Sequence, residues 1–207
     1  MDCLDNNKTP LSRGVFVFII FLKSRVLIKL KLYNTCYQLH TNLIFTKKII
    51  MSILIGQPAP EFTLHDSEKN KVSLSDFKGK NVLLLFYPQA FTGVCTKELC
   101  AVRDDISRYS NVNAQVLGIS VDSVFTLAKY KEEQRFNFPL LSDFNKEVSA
   151  LYDTLYTEWI LDMKGVSKRS AFIIDKAGNI CYAEVLESAG DMPDFKAINK
   201  VLDGLNA

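Results

Sequence analysis

The sequence has only two histidines, five scattered cysteines and no Cys-x-x-Cys pair. Beyond residue 50 the only possible soft ligands are Cys95, Cys100, Cys181 and His65, at no ligand-like spacing, so a structural zinc site, which needs four N or S donors, is not expected. Without Cys-x-x-Cys, a dithiol–disulfide reductase is disfavoured. Five cysteines in 207 residues are too few for a disulfide scaffold and suit a reducing compartment, here taken as the cytoplasm. Basic excess is also missing where a fold could use it: residues 51–207 carry 17 Lys/Arg against 21 Asp/Glu, which excludes a nucleic-acid partner. Long apolar runs are absent. The strongest, VFVFIIFL at 15–22, spans eight residues and stops at Lys23, well short of the ~20 a membrane-spanning helix requires. No stable membrane association is expected.

Residues 1–50 contain neither Ala nor Glu, and 30 of the 50 are Ile, Lys, Leu, Asn, Phe or Tyr. That bias resembles translated AT-rich non-coding DNA. No small-x-small cleavage signature precedes Met51, and an acid-poor presequence would carry more than two Arg and two Ser. The expectation is a doubtful extension over 1–50, natural translation from Met51, and one domain over 51–207.

Within that domain, periodicity sets the elements. PAPEFTLHD and KVSLSDF alternate around a polar turn at Ser67 to Asn70, which predicts a hairpin. NVLLLFYP (81–88) and AQVLGISVD are continuous apolar runs, the pattern of strands buried on both faces. A helix is predicted from Val94 to about Tyr109 and another after Ser123, a candidate N-cap. FPLLSD reads as a short strand, NKEVSALYDTL as a helix, SAFIIDKAGNICYAEV as two strands about a turn, and MPDFKAINKVLDGL as a closing helix. This order implies a three-layer α/β domain with a parallel core.

The cysteines are not equivalent. Cys3 and Cys36 fall in the doubtful extension, and Cys181 alternates within a strand as a small buried or edge residue. Cys95 and Cys100 open the helix that follows a buried strand. On a regular helix, i and i+5 lie roughly 8.7 Å apart at Cα, beyond the ~7 Å reach of a disulfide. Such a pair can bond only if the helix start unwinds, which suits a redox switch better than a staple. A helix N-terminus offers unpaired N–H groups and partial positive charge that favour an anionic sulfur, and Cys95 receives more of that field than Cys100. Thr92 can return its hydroxyl towards the same volume, and Pro88 closes the strand without adding a donor. Taken singly, Thr92 could be a helix cap and Pro88 and Gly93 loop punctuation.

The stretch PQAFTGVC carries P-x3-T-x2-C as Pro88, Thr92 and Cys95, and here the chain resembles the peroxiredoxin family. GQPAPEFTL, FPLLSD and Arg169 in RSAFIID extend the likeness over residues 53–205. FTGVCTKEL is similar to the AhpE-type loop, whereas the spacing of Cys95 and Cys100 is that of the PrxQ, or bacterioferritin-comigratory, type. The resemblance implies a thioredoxin-like α/β fold, a three-layer arrangement with a central mixed sheet and an extra N-terminal hairpin. It also implies a thiol-dependent peroxidase acting on hydrogen peroxide and organic hydroperoxides. Cys95 would attack the peroxide and become sulfenic acid, Thr92 would orient the peroxide, Pro88 would shield the site, and Arg169 would polarise the oxygens. Cys100 would resolve the sulfenic acid as an intramolecular disulfide, reduced in turn by thioredoxin or a similar thiol reductant. No metal, haem, flavin or other cofactor is needed, and a monomer or homodimer is expected. Glu98 matches a position supporting the loop network, or else is an exposed helix charge. No arginine follows Arg169, so a second family arginine near the C-terminus is absent or replaced. Two alternatives stay open: a one-cysteine peroxidase recycled by a small thiol, and a sensor or chaperone switched by oxidation of Cys95.

Overall fold

The computed structural model describes residues 53–206. The expectations about residues 1–50 and a start at Met51 fall outside them. The hairpin forms as predicted: β1 (Thr63–Asp66) pairs antiparallel with β2 (Lys71–Ser73). Asp66 closes the turn, its Oδ1 accepting from the amides of Glu68 and Asn70 at 2.8 Å each. β3 (Asn81–Phe86) is buried at every position, as its unbroken apolar run requires, and each such Val, Leu or Phe contributes about 2 kcal/mol.

Beyond it lie α1 (Gly93–Asp104), α2 (Ile106–Asn111), β4 (Ala114–Ser120), α3 (Val124–Gln134), β5 (Leu140–Ser142) and α4 (Glu147–Leu151). β6 (Ser170–Ile174), β7 (Ile180–Val185) and α5 (Phe195–Leu205) complete the chain. The sheet order is β2-β1-β5-β4-β3-β6-β7. β3, β4 and β5 run parallel, while β6 lies antiparallel to β3 and β1 antiparallel to β5. Alternation along β3 divides the core: Leu83 and Leu85 pack with Leu99, Leu127, Tyr130 and Ile198, whereas Val82, Leu84 and Phe86 pack with Phe62, Val148 and Tyr152. The result is the mixed-sheet, thioredoxin-like fold with an N-terminal hairpin. Among the described residues no helix is long and apolar enough to cross a membrane.

The predicted helix from Val94 to Tyr109 is two helices. It breaks at Asp105 (φ −109°, ψ 22°), where Asp104 and Asp105 place two negative charges at the negative end of the helix dipole. Ser123 caps α3 as expected, its hydroxyl accepting from the Thr126 amide at 3.2 Å. α4 is shorter than its sequence suggested, because Asp153 turns to a left-handed φ of 53°.

Candidate active site

Sheet topology explains why distant residues meet. β3 and β4 end at the same edge, α1 begins there, and β6, being antiparallel to β3, starts there, with Ser170 paired to Phe86. Arg169, one residue before Ser170, is thereby delivered to the start of α1. All five predicted site residues lie in this region, but at different depths: Pro88, Cys95 and Arg169 are buried, Thr92 and Cys100 half-buried.

The loop from Pro88 to Thr92 is held from below by Asp122. Its Oδ2 accepts from the Ala90 amide and the Ser120 hydroxyl, each at 2.8 Å. Burial pushes the Asp122 carboxyl up, and these two donors pull it back. Phe91 takes a left-handed φ of 61°, which costs about 1 kcal/mol for a residue with a Cβ. Its ring rests 4.8 Å from that of Tyr130, a contact of comparable worth. Thr92 occupies the N-cap position of α1 with extended backbone, yet its side chain caps nothing: Oγ1 donates to the Gln89 carbonyl at 2.9 Å. A carbonyl can only accept, so the hydroxyl proton is committed there and the oxygen lone pairs stay free to accept.

Cys95 is the third residue of α1 and 1% exposed. The Arg169 guanidinium, equally buried, reaches three acceptors. Nη2 donates to Cys95 Sγ at 3.3 Å and to the Ala189 carbonyl at 2.9 Å, and Nη1 donates to Glu98 Oε2. Burial disfavours the charge on Arg169, but the negative charges of Glu98 and Cys95 outweigh it and hold the guanidinium above its ordinary value. Glu98 is wholly buried, not an exposed helix charge. Burial pushes its carboxyl from 4.5 to about 7, against the opposing pull of Arg169. Its Oε1 has no partner among the described residues, and neither has Arg169 Nε.

Cys100 sits five residues along the same unbroken helix. Its Sγ lies 3.8 Å from Gln134 Oε1, and both thiols are free. The two cysteines are unbonded and border the same core cluster, Cys95 within it and Cys100 packed against it. Cys181 lies half-buried in β7, its thiol raised by burial, on a different part of the sheet.

Glu98 had a signal that could have resolved its two readings. The buried positions of α1 are 95, 98, 99 and 102, the spacing of a single inward face, so a charge at 98 demands a buried partner. Asp122 and Tyr130 left no comparable mark. Tyr130, fully buried in α3, shares a 2.9 Å hydrogen bond with Thr96 Oγ1, and burial keeps its phenol well above the usual range.

Comparison with known proteins gives the family of the chain. The family model of the AhpC/TSA family matches residues 55–183. Alkyl hydroperoxide reductase E of Mycobacterium bovis is 36% identical over 156 residues, covering 74% of this chain and 98% of the relative. The mitochondrial thioredoxin-dependent peroxide reductase of Drosophila melanogaster is 34% identical over 175 residues, covering 80% of this chain and 71% of the relative. Among solved structures, the peroxidoxin BcpB of Mycobacterium tuberculosis superposes with a TM-score of 0.62 at 33% identity, over 73% of this chain and 95% of that one. The chain therefore belongs to the AhpC/TSA family, the peroxiredoxins, thiol-dependent peroxidases.

Proposed function

We propose that Cys95 reduces hydrogen peroxide and organic hydroperoxides, and that Cys100 resolves the product. The observation that carries the first part is the 3.3 Å bond from Arg169 Nη2 to the sulfur of the buried Cys95. The thiolate of Cys95 attacks the nearer peroxide oxygen. A new S–O bond forms, the O–O bond breaks, and the departing oxygen takes a proton to leave as water or alcohol, with Cys95 left as sulfenic acid. Negative charge grows on the departing oxygen as the bond lengthens. A guanidinium fixed by Glu98 and the Ala189 carbonyl can stabilise that charge without reorganising. Thr92 orients the peroxide as an acceptor, because its own proton is held by Gln89. Pro88, buried and without an N–H, keeps water from the sulfenic acid.

Resolution follows when the start of α1 unwinds. The Cys100 sulfur attacks the Cys95 sulfur, an S–S bond replaces the S–O bond, and the hydroxyl leaves with the Cys100 proton as water. An external dithiol returns both cysteines to thiols. Thioredoxin fits this role, since the Drosophila relative is named a thioredoxin-dependent enzyme. Both sulfurs belong to one chain, so a monomer or homodimer completes the cycle, and a reducing compartment such as the cytoplasm supplies the dithiol.

The test is one equivalent of hydrogen peroxide added to reduced protein, followed by mass spectrometry of the peptides. A Cys95–Cys100 peptide is expected, with peroxide consumption abolished in Cys95→Ser. Persistent sulfenic acid beside a free Cys100 would remove the resolving role, and undiminished consumption by Cys95→Ser would remove the whole reading.

A further inference from the structure

The bond between Cys95 and Cys100 cannot form until the segment around Cys95 leaves its helix, so whatever holds that segment sets the pace of resolution. Tyr130 holds it on both sides. Its hydroxyl is bonded to Thr96, the residue after Cys95, at 2.9 Å, and its ring packs against Phe91, four residues before Cys95, at 4.8 Å. Tyr130 is itself immobilised: it is 0% exposed, and Phe136 lies edge-on at 5.0 Å. The same helix α3 also holds the second cysteine, through Gln134 at Cys100 Sγ.

We propose that Tyr130 is a positioning residue of the resolving step, a latch whose hydroxyl bond to Thr96 and ring contact with Phe91 keep residues 91–96 wrapped around Cys95 and fix how long the sulfenic acid waits for Cys100. The inference rests on Cys100 being the resolving residue. The Tyr130 hydroxyl bonds to Thr96 and not to the sulfur, so its removal acts on the unwinding of α1 and leaves the attack on peroxide to Cys95, Arg169 and Thr92. A waiting sulfenic acid is exposed to a second peroxide, which inserts oxygen to give sulfinic acid with release of water or alcohol. Latch strength therefore trades time for reduction against loss of the enzyme.

Tyr130→Phe keeps the ring and deletes one hydrogen bond. A net hydrogen bond of ordinary strength corresponds to about three- to tenfold in the unwinding equilibrium. The experiment uses full-length reduced protein, a pulse of hydrogen peroxide, acid quench and alkylation, with separate time courses for loss of the Cys95 thiol and gain of the Cys95–Cys100 peptide. In Tyr130→Phe and in Thr96→Val, disulfide formation should accelerate about three- to tenfold while thiol loss changes by less than twofold. The peroxide concentration that converts half of Cys95 to sulfinic acid should rise by the same factor. The double variant should match either single one, because both remove the same bond. A general loosening of the fold would instead slow thiol loss and add between the two sites, and that result overturns the latch. So does a disulfide rate within twofold of the parent in either variant. Should Tyr130→Phe fail to fold, Thr96→Val carries the decision alone. If the parent protein forms no Cys95–Cys100 peptide, the resolving reading fails and the latch with it; a normal parental disulfide that ignores both variants sinks the latch only.

Discussion

Arg169→Lys separates the charge at this site from its shape. Lysine keeps one positive charge but presents it from a single nitrogen, whereas the guanidinium uses Nη1 for Glu98 and Nη2 for both Cys95 and Ala189. One ammonium anchored by the buried carboxylate cannot also be held against the sulfur, so the contact most directly lost is the one at 3.3 Å. A hydrogen bond involving a charged group is worth about 1.5–3 kcal/mol, and about 1.4 kcal/mol is a factor of ten in rate. The second-order rate of Cys95 oxidation should therefore fall about 10- to 150-fold. Folding should suffer less, because Glu98 retains a cation. Arg169→Met would abandon that carboxyl in the core, and Glu98 would then titrate above even its present value of about 7, having lost the one group that opposes burial. The assay is rapid-quench alkylation of the remaining Cys95 thiol across hydrogen peroxide concentrations, beside a urea unfolding curve for each protein. Oxidation of Arg169→Lys within threefold of the parent would refute the argument that the fork, and not merely the charge, serves the reaction.

Glu98 sets a further expectation through pH. Its native carboxyl is raised from 4.5 to about 7 by burial, so between those values the native state holds a proton that the unfolded chain releases. The resulting stability is fully present below pH 4.5, declines as pH rises, and is exhausted above about 7. Urea midpoints measured across that window should fall with pH in the parent and fall less in Glu98→Gln; parallel slopes would show that Glu98 does not titrate there. Thr92→Val should slow Cys95 oxidation by about one to two decades while costing only about 1 kcal/mol of stability, the bond to Gln89, and Thr92→Ser should recover most of both. A valine variant as fast as the serine one would show that the hydroxyl touches no peroxide.

Much of this architecture could be read along the chain because its causes are local. The apolar runs at 81–86 and 114–120 require strands covered on both faces, the polar run from Ser67 to Asn70 marks a turn, and Ser123 precedes a helix and caps it. The inequality of Cys95 and Cys100 is also local, following from helix geometry and the field at a helix start. What local pattern does not carry is set by strand order, and Arg169 entered the site only through the family resemblance. Nothing in RSAFIID says that β6 runs antiparallel beside β3, yet that placement alone brings Arg169 to Cys95 across 74 residues of sequence. Asp122 supports the Ala90 amide through the parallel pairing of β3 with β4, an equally long-range cause.

The site carries a conflict that its own construction resolves. Excluding water strengthens the bonds of Arg169 to sulfur and carboxylate, and it is the burial of Cys95, Glu98 and Leu99 on one face of α1 that excludes it. Those buried residues are also what keeps α1 helical, and a helical α1 holds Cys100 out of reach of Cys95. With Cys100 as the proposed resolving residue, a site tuned only for attack on peroxide would thus trap its own sulfenic acid. Besides the Arg169 bond to Cys95, the helix start is held by one hydroxyl pair at Tyr130 and one ring contact made at the expense of a left-handed Phe91, while the N-cap side chain bonds to the loop and leaves the helix uncapped. Leu99 and Val102 lie further along and pack into the same core cluster as Cys95. On the resolving role proposed for Cys100, the start of α1 has to let go of Arg169, Tyr130 and Phe91, the contacts that hold it for attack on peroxide, so one element would serve the two half-reactions in turn.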